Sequence, residues 1–220
     1  KVLMLGNSFS YFNDMPNTLS SMIRTADPDT SVISITYGGY TLSQYVDETT
    51  EIGKNAIEKM SSGEWDYVIL QEQSLLPCTD PQRFFDAIVR IRQLSAPTGA
   101  KPILYETWAY KDGSEKLAST GMSYRQMNAT LQDAYHQAAE LIGGRIAPVG
   151  EAFEHILSAK YSLHLISHND NYHPSASGSY LAACVLFRTL TGKSAIGLPC
   201  PSSVSLYNLS VIQKVTDTMA

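Results

Sequence analysis

The chain has 220 residues, 44% of them hydrophobic and 17% charged, which suits one well-buried α/β domain and excludes a disordered tail or a fibrous repeat. Sixteen basic residues stand against 21 acidic ones, a net charge of −5, and no Lys/Arg cluster interleaves with aromatics, so nucleic acid is not an expected partner. The longest apolar runs are of strand length, too short to span a membrane.

Taken in chain order, short apolar runs alternate with longer segments of helical spacing. Val2–Leu5 is the first predicted strand, followed by a helix over Met15–Ala26 with Pro16 near its start, where the missing N–H costs little. A strand over Ser31–Thr36 precedes one long helix, Leu42–Met60, that ends near Gly63. The strand Tyr67–Gln71 leads to a helix over Gln82–Leu94, opened by the cap and first-turn pair Asp80-Pro81. The strand Pro102–Glu106 leads to a helix over Met122–Ile142, stopped by Gly143-Gly144. Arg145–Val149 is the last predicted strand. Helices then follow over Gly150–Ala159, over Ser175–Leu190 with Pro174 at its start and Gly192 at its end, and over Val211–Met219.

The strand runs largely lack polar alternation, the pattern of strands buried on both faces of a parallel sheet. Their alternation with helices predicts a single doubly wound α/β domain over 1–220, without repeat or linker. Ligands of such sheets bind beyond the carboxyl ends of the strands, so the loops at those ends are the ones to search. Cys78, Cys184 and Cys200 fit neither a zinc knuckle nor a disulfide framework; Cys184 lies in an apolar helical stretch and reads as core, and one disulfide stays open. Because Lys1 stands inside a strand-like run with no initiator Met, removal of an upstream segment is expected; with a signal peptide as one candidate, an extracytoplasmic setting is favoured.

After the first strand comes Gly6-Asn7-Ser8-Phe9-Ser10. A serine there sits on a strand-to-helix turn, and its own amide can donate into the same cleft as its hydroxyl. The second loop, Tyr37-Gly38-Gly39-Tyr40-Thr41, lets the backbone come close to a ligand, with the Gly39 amide as a second donor. The third, Gln71-Glu72-Gln73-Ser74, offers two side-chain amides that donate without adding charge. In Asp170-Asn171-Tyr172-His173-Pro174 the acid can turn to the imidazole Nδ1, fix the tautomer and leave Nε2 to take a serine proton. Each block alone also reads as ordinary turn or cap chemistry. Tyr37, Tyr40, Trp108 and Tyr110 are candidates to stack on a sugar.

These blocks together resemble the SGNH hydrolases, also called the GDSL-like lipase/esterase superfamily. Gly6-Asn7-Ser8 stands where that family has Gly-Asp-Ser, Gly39 at its second-block glycine, and Asp170 and His173 at its last-block acid and base. The run from His173-Pro174-Ser175 through Gly178, Tyr180, Leu181 and Ala182 strengthens the likeness, which spans the chain. Asn7 departs from the usual Asp. Gln71-Glu72-Gln73-Ser74 replaces Gly-x-Asn-Asp and looks like the Gln-Gly-Glu-Ser pattern of the sialate and acetylxylan esterase branch, and like a bacterial subgroup of open specificity.

The resemblance implies a flavodoxin-like three-layer α/β/α sandwich with a five-stranded parallel sheet in the order 2-1-3-4-5. It implies no cofactor and a small-molecule or carbohydrate ester as the partner. The catalytic residues would be Ser8, Asp170 and His173. The oxyanion donors would be Ser8, Gly39 and one of Gln71 and Gln73, with Gln71 favoured by position. Asn7, Tyr40, Trp108 and Tyr172 are the expected substrate contacts. Two other readings stand beside it: a non-catalytic carbohydrate-binding domain on the same fold, and a metal-dependent phosphoesterase using His164, His168 and Asp170. Against a metal site, the spacing of His164, His168, Asp170 and His173 does not match a zinc signature on one helix face.

Overall fold

Parallel strands with no hairpin partner need long crossovers, and the helical segments supply them. The computed structural model describes residues 1–159 and 161–219. In chain order its elements are β1 (Val2–Gly6), α1 (Ser8–Tyr11), α2 (Met15–Ala26), β2 (Val32–Thr36), α3 (Leu42–Tyr45), α4 (Glu51–Ser62), β3 (Tyr67–Leu70), α5 (Leu76–Thr79), α6 (Pro81–Ser95), β4 (Lys101–Tyr105), α7 (Glu115–Ala118), α8 (Tyr124–Ile142), β5 (Arg145–Ala147), α9 (Val149–Ser158), α10 (Ala176–Thr191) and α11 (Leu206–Thr218). The five strands form one all-parallel sheet in the order β2-β1-β3-β4-β5, as expected.

Leu3, Met4, Leu5, Ile69, Leu70, Ile103 and Leu104 have no exposed surface, because helices cover both faces. Helices α2, α10 and α11 pack together as one layer, and α4, α6 and α8 as the other. The edge strand β2 departs from the two-face burial read from its sequence: Ile33 and Ser34 are exposed, since no strand lies beyond it. The chain runs outward from β1 to β2, then returns past β1 to β3. The crossovers therefore reverse at β1 and β3, and a crevice opens at their carboxyl ends.

Three boundaries differ from the sequence reading for identifiable reasons. The expected helix Leu42–Met60 is broken into α3 and α4, because Asp47 and Thr50 take backbone amides for themselves: Asp47 Oδ1 accepts from the Thr49 amide at 2.9 Å, and Thr50 Oγ1 caps α4 from the Gly53 amide at 3.0 Å. Strand β5 stops at Ala147 because Pro148 has no N–H for the ladder and caps α9 instead. Pro174 does not start α10. It pairs with Ile166 in an isolated antiparallel bridge, and Ser175 is the N-cap, accepting from the Gly178 amide at 3.1 Å. The three cysteines are free thiols, and Cys184 is buried in α10.

The start of α10 lies hard against the segment that precedes the His173 loop. A Cβ added at Gly178 would stand 2.1 Å from the Leu165 carbonyl oxygen, a backbone atom that cannot swing away. Gly178→Ala is therefore expected to destabilise the fold by roughly 1–3 kcal/mol through overpacking, read as a lower urea midpoint with unchanged m-value.

Candidate active site

Ser8 enters the crevice because the turn after β1 is pressed against the end of β3. A Cβ on Gly6 would lie 2.4 Å from Ser10 Oγ and 2.7 Å from Gln71 Oε1, so only glycine fits there. Asn7 then caps α1, its Oδ1 accepting from the Phe9 amide at 3.1 Å, and Ser8 becomes the first helical residue. On the opposite side, Asp170 folds onto its own loop: Oδ1 accepts from the amides of Tyr172 (3.1 Å) and His173 (3.0 Å). That leaves Oδ2 at 2.8 Å from His173 Nδ1, and His173 Nε2 at 2.8 Å from Ser8 Oγ. Residues 165 positions apart thus meet in one hydrogen-bonded line from hydroxyl to imidazole to carboxylate.

The same fold recurs in known proteins. A protein of Slackia heliotrinireducens, described as a candidate SGNH hydrolase, is similar to this chain at 32% identity over 86% of this chain and 97% of its own, with a TM-score of 0.78. The chain belongs to the SGNH hydrolases. A DUF4886 family protein of Bacteroides uniformis shares the fold at a TM-score of 0.73, with 21% identity over 98% of this chain and 92% of that one. An acetylxylan esterase of Geobacillus stearothermophilus shares it at a TM-score of 0.57, with 14% identity over 90% and 94%. No family profile and no curated protein matches the chain.

In this SGNH hydrolase the histidine is caged by aromatic rings. Phe12 stacks on it at 4.2 Å between ring centroids and nearly parallel, Tyr172 leans on it at 4.1 Å, and Phe9 meets it edge-on at 5.7 Å. The loop carrying it is tied down from several sides. Trp108 Nε1 donates to the Tyr172 carbonyl at 3.0 Å, the Lys111 amide to the Asn171 carbonyl at 2.9 Å, and Asn13 Nδ2 to the Pro174 carbonyl at 3.1 Å. Asn13 holds a left-handed φ of 53°, a conformation asparagine tolerates better than most residues. Partial burial would raise the Asp170 carboxyl, but the Tyr172 and His173 amides and the His173 ring outweigh it and hold the group below its ordinary value.

Gln71 does not fit the oxyanion role favoured from sequence position. It is fully buried; Oε1 accepts from the Asn7 amide at 2.8 Å and from Ser10 Oγ at 2.8 Å, and its Nε2 donates to the Glu72 carbonyl. Gln73 is half-buried, and its Oε1 accepts from the amides of Leu75 (2.9 Å) and Leu76 (3.0 Å). Its Nε2 makes no hydrogen bond among the described residues, and neither do the amides of Ser8 and Gly39. Gly39 sits in a β-turn closed by the Tyr40 amide on the Tyr37 carbonyl at 3.2 Å, with φ +70°.

Two expected substrate contacts are corrected. Trp108 is fully buried between Phe9 (4.5 Å) and Phe153 (4.1 Å), both stacked, so neither face of the indole is open to a sugar. Asn7 faces inward, with Nδ2 donating to the Tyr40 carbonyl at 2.9 Å, and acts as a strut between the first two loops. Tyr110 is buried as well, hydrogen-bonded to Ser74 at 2.8 Å. Tyr40 and Tyr172 keep partial exposure and Tyr11 and Tyr37 are exposed, with Tyr37 packed on Tyr40 at 5.2 Å. Lys116 was not singled out from sequence; its Nζ lies 4.6 Å above the Tyr172 ring. Phe9, Phe12 and Asn13 were likewise missed, since only the fold brings them to His173. His164 and His168 pack edge-to-face at 4.5 Å, while Asp170 is committed to His173, so the three do not form a shared ligand set among the described residues.

Below the third loop, Glu72 is buried with no exposed surface. It accepts from the Leu42 amide through both oxygens (3.1 and 3.2 Å), which pins α3 beside the site. Burial raises its carboxyl from 4.5 to about 7, against the lowering effect of the Gln73 and Leu42 amides and Arg83. The fold thus favours the protonated acid. That contribution to stability is complete below the ordinary value of 4.5 and is lost as pH rises through about 7. Urea titrations from pH 5 to pH 8 should show wild type losing stability relative to Glu72→Gln, whose side chain does not titrate. Parallel curves would contradict this.

Proposed function

We propose that this SGNH hydrolase is a serine esterase that removes small acyl groups, acetyl foremost, from an alcohol such as a carbohydrate hydroxyl. The observation that carries the reading is the line Ser8 Oγ, His173 Nε2 and Nδ1, Asp170 Oδ2, with 2.8 Å at each step. That contact is the one a non-catalytic binding domain would have no reason to keep.

In the proposed cycle His173 takes the Ser8 proton as Oγ attacks the ester carbonyl, and Asp170 steadies the imidazolium that forms. The amides of Ser8 and Gly39, with Gln73 Nε2, donate to the oxyanion. His173 returns its proton to the departing alcohol. Water, deprotonated by His173, then frees the acid from Ser8. A small acyl group and a sugar alcohol suit a site whose loops carry the solvent-accessible Tyr11, Tyr37, Tyr40 and Tyr172, because tyrosine offers an apolar face and a hydroxyl together. The fold shared with an acetylxylan esterase adds support for the carbohydrate, as does the third-loop pattern.

A panel of p-nitrophenyl acetate, p-nitrophenyl octanoate, acetylated xylan and acetylated sialic acid tests the reading. Ser8→Ala should abolish nearly all turnover, with acetyl esters preferred by wild type; a Ser8→Ala enzyme as fast as wild type on p-nitrophenyl acetate would sink it. The two amides should separate by readout. Gln73→Ala is expected to lower kcat by roughly 10²- to 10³-fold, the worth of one oxyanion donor, with the melting temperature kept. Gln71→Ala should instead cost stability, about 1–3 kcal/mol for each buried donor left unpaired.

A further inference from the structure

Helix α9 begins on a buried acid that the serine chemistry does not use. Glu106, just past β4, accepts the Glu151 amide at Oε1 (2.9 Å), and its backbone carbonyl accepts the Gly150 amide (3.2 Å). Its second oxygen, Oε2, is buried and has no hydrogen-bond partner, although the residue has no exposed surface. An unpaired buried carboxylate oxygen is costly. Beside it stand His136 of α8 and Glu151 of α9, with His136 Nε2 at 3.6 Å from Glu151 Oε1. One ligand atom from each of the three residues falls within 4.8 Å of the others, the one such group among the described residues.

We propose that Glu106, His136 and Glu151 form a divalent-cation site of the zinc class that clamps the end of β4 to α8 and α9. One imidazole and two carboxylates are a donor set for zinc or a neighbouring first-row ion, whereas magnesium and calcium prefer oxygen alone. Ligands about 2.1 Å from a tetrahedral ion lie about 3.4 Å apart. The 3.6 Å pair is already near that spacing. The exposed His136 and half-exposed Glu151 side chains can rotate to close the rest. Both line an open cavity of about 550 Å³, which gives an ion a way in. Arg145 and Arg188 line it too, but Arg188 is paired with Asp217 at 3.3 Å and Arg145 lies over the Tyr67 ring, so neither neutralises the two acids.

The test uses the whole chain, stripped with a chelator, dialysed and titrated with ZnCl2 or MgCl2. Zinc at about 100 times its Kd should raise the melting temperature by about 5–10 °C, with a stoichiometry of about one ion per chain by competition with a chromophoric chelator. Magnesium should give no shift. His136→Ala, at an exposed position that leaves the core alone, should abolish the zinc shift, and Glu106→Gln should do the same while keeping the shape of the side chain. No zinc shift in wild type would overturn the proposal. So would a shift that survives His136→Ala, or one lost only in a His164→Ala/His168→Ala double variant, which would put the metal on that histidine pair.

Discussion

The site rests on one buried contact, the Gln71 side-chain oxygen Oε1 accepting both the Asn7 amide and the Ser10 hydroxyl at the crevice between β1 and β3. It requires the turn after β1 to lie against β3, which a side chain at Gly6 would forbid. Because the Asn7 amide can only donate, the orientation of the Gln71 amide is fixed as well. Everything downstream inherits this geometry. Ser8 follows as the first residue of α1, Asn7 reaches across to the Tyr40 carbonyl, and the Tyr45 hydroxyl bridges the Gly6 carbonyl and the Tyr37 amide. The Ser8 turn and the Gly39 turn are thereby set relative to one another by hydrogen bonds in a dry environment, where such bonds are costly to break.

Asp170 and His173 come from the other end of the chain and are held by a different kind of contact. Phe9, Trp108 and Phe153 form a continuous stack from α1 to α9, and the indole N–H in the middle of it carries the Tyr172 carbonyl. The ring that supports the helix of Ser8 is thus in contact with the one that orients the loop of His173. Phe12 and Tyr172 complete the packing around the imidazole. Precise placement of this kind, with rotamers locked by packing, is what proton transfer between two side chains needs.

Around this frame the fold buries two carboxyl groups, Glu72 and Glu106, at the ends of β3 and β4. Each one anchors the start of a neighbouring helix through backbone amides, α3 for Glu72 and α9 for Glu106. Both are raised well above the ordinary carboxylate range by desolvation. They differ in what surrounds them. Glu72 has amide partners on its oxygens and Arg83 nearby, whereas Glu106 faces two further acids, Glu151 and Glu154, with one oxygen unpaired.

The doubly wound class and the five strands were legible in the sequence, and so were the local blocks that carry Ser8, Asp170 and His173, which the fold brings into one hydrogen-bonded line. Short β-rich runs separated by helical periods encode the first two, and the local blocks around the three residues encode the last. The strand order came from family resemblance rather than from any residue pattern, and the sheet bears it out. What the chain alone could not decide were the contacts between segments distant in sequence. Gln71 and Gln73 have identical chemistry and stand two positions apart; only their burial separates a strut from an available donor. Trp108 stands past a strand end, where the sequence suggests a sugar platform, but Phe9 and Phe153 cover both of its faces. Glu106, His136 and Glu151 lie on three elements with no common motif, so no local spacing could announce them. Local pattern specifies elements and turns, because those depend on neighbours along the chain. Which side of a residue meets solvent depends on packing across it, and that belongs to the tertiary structure.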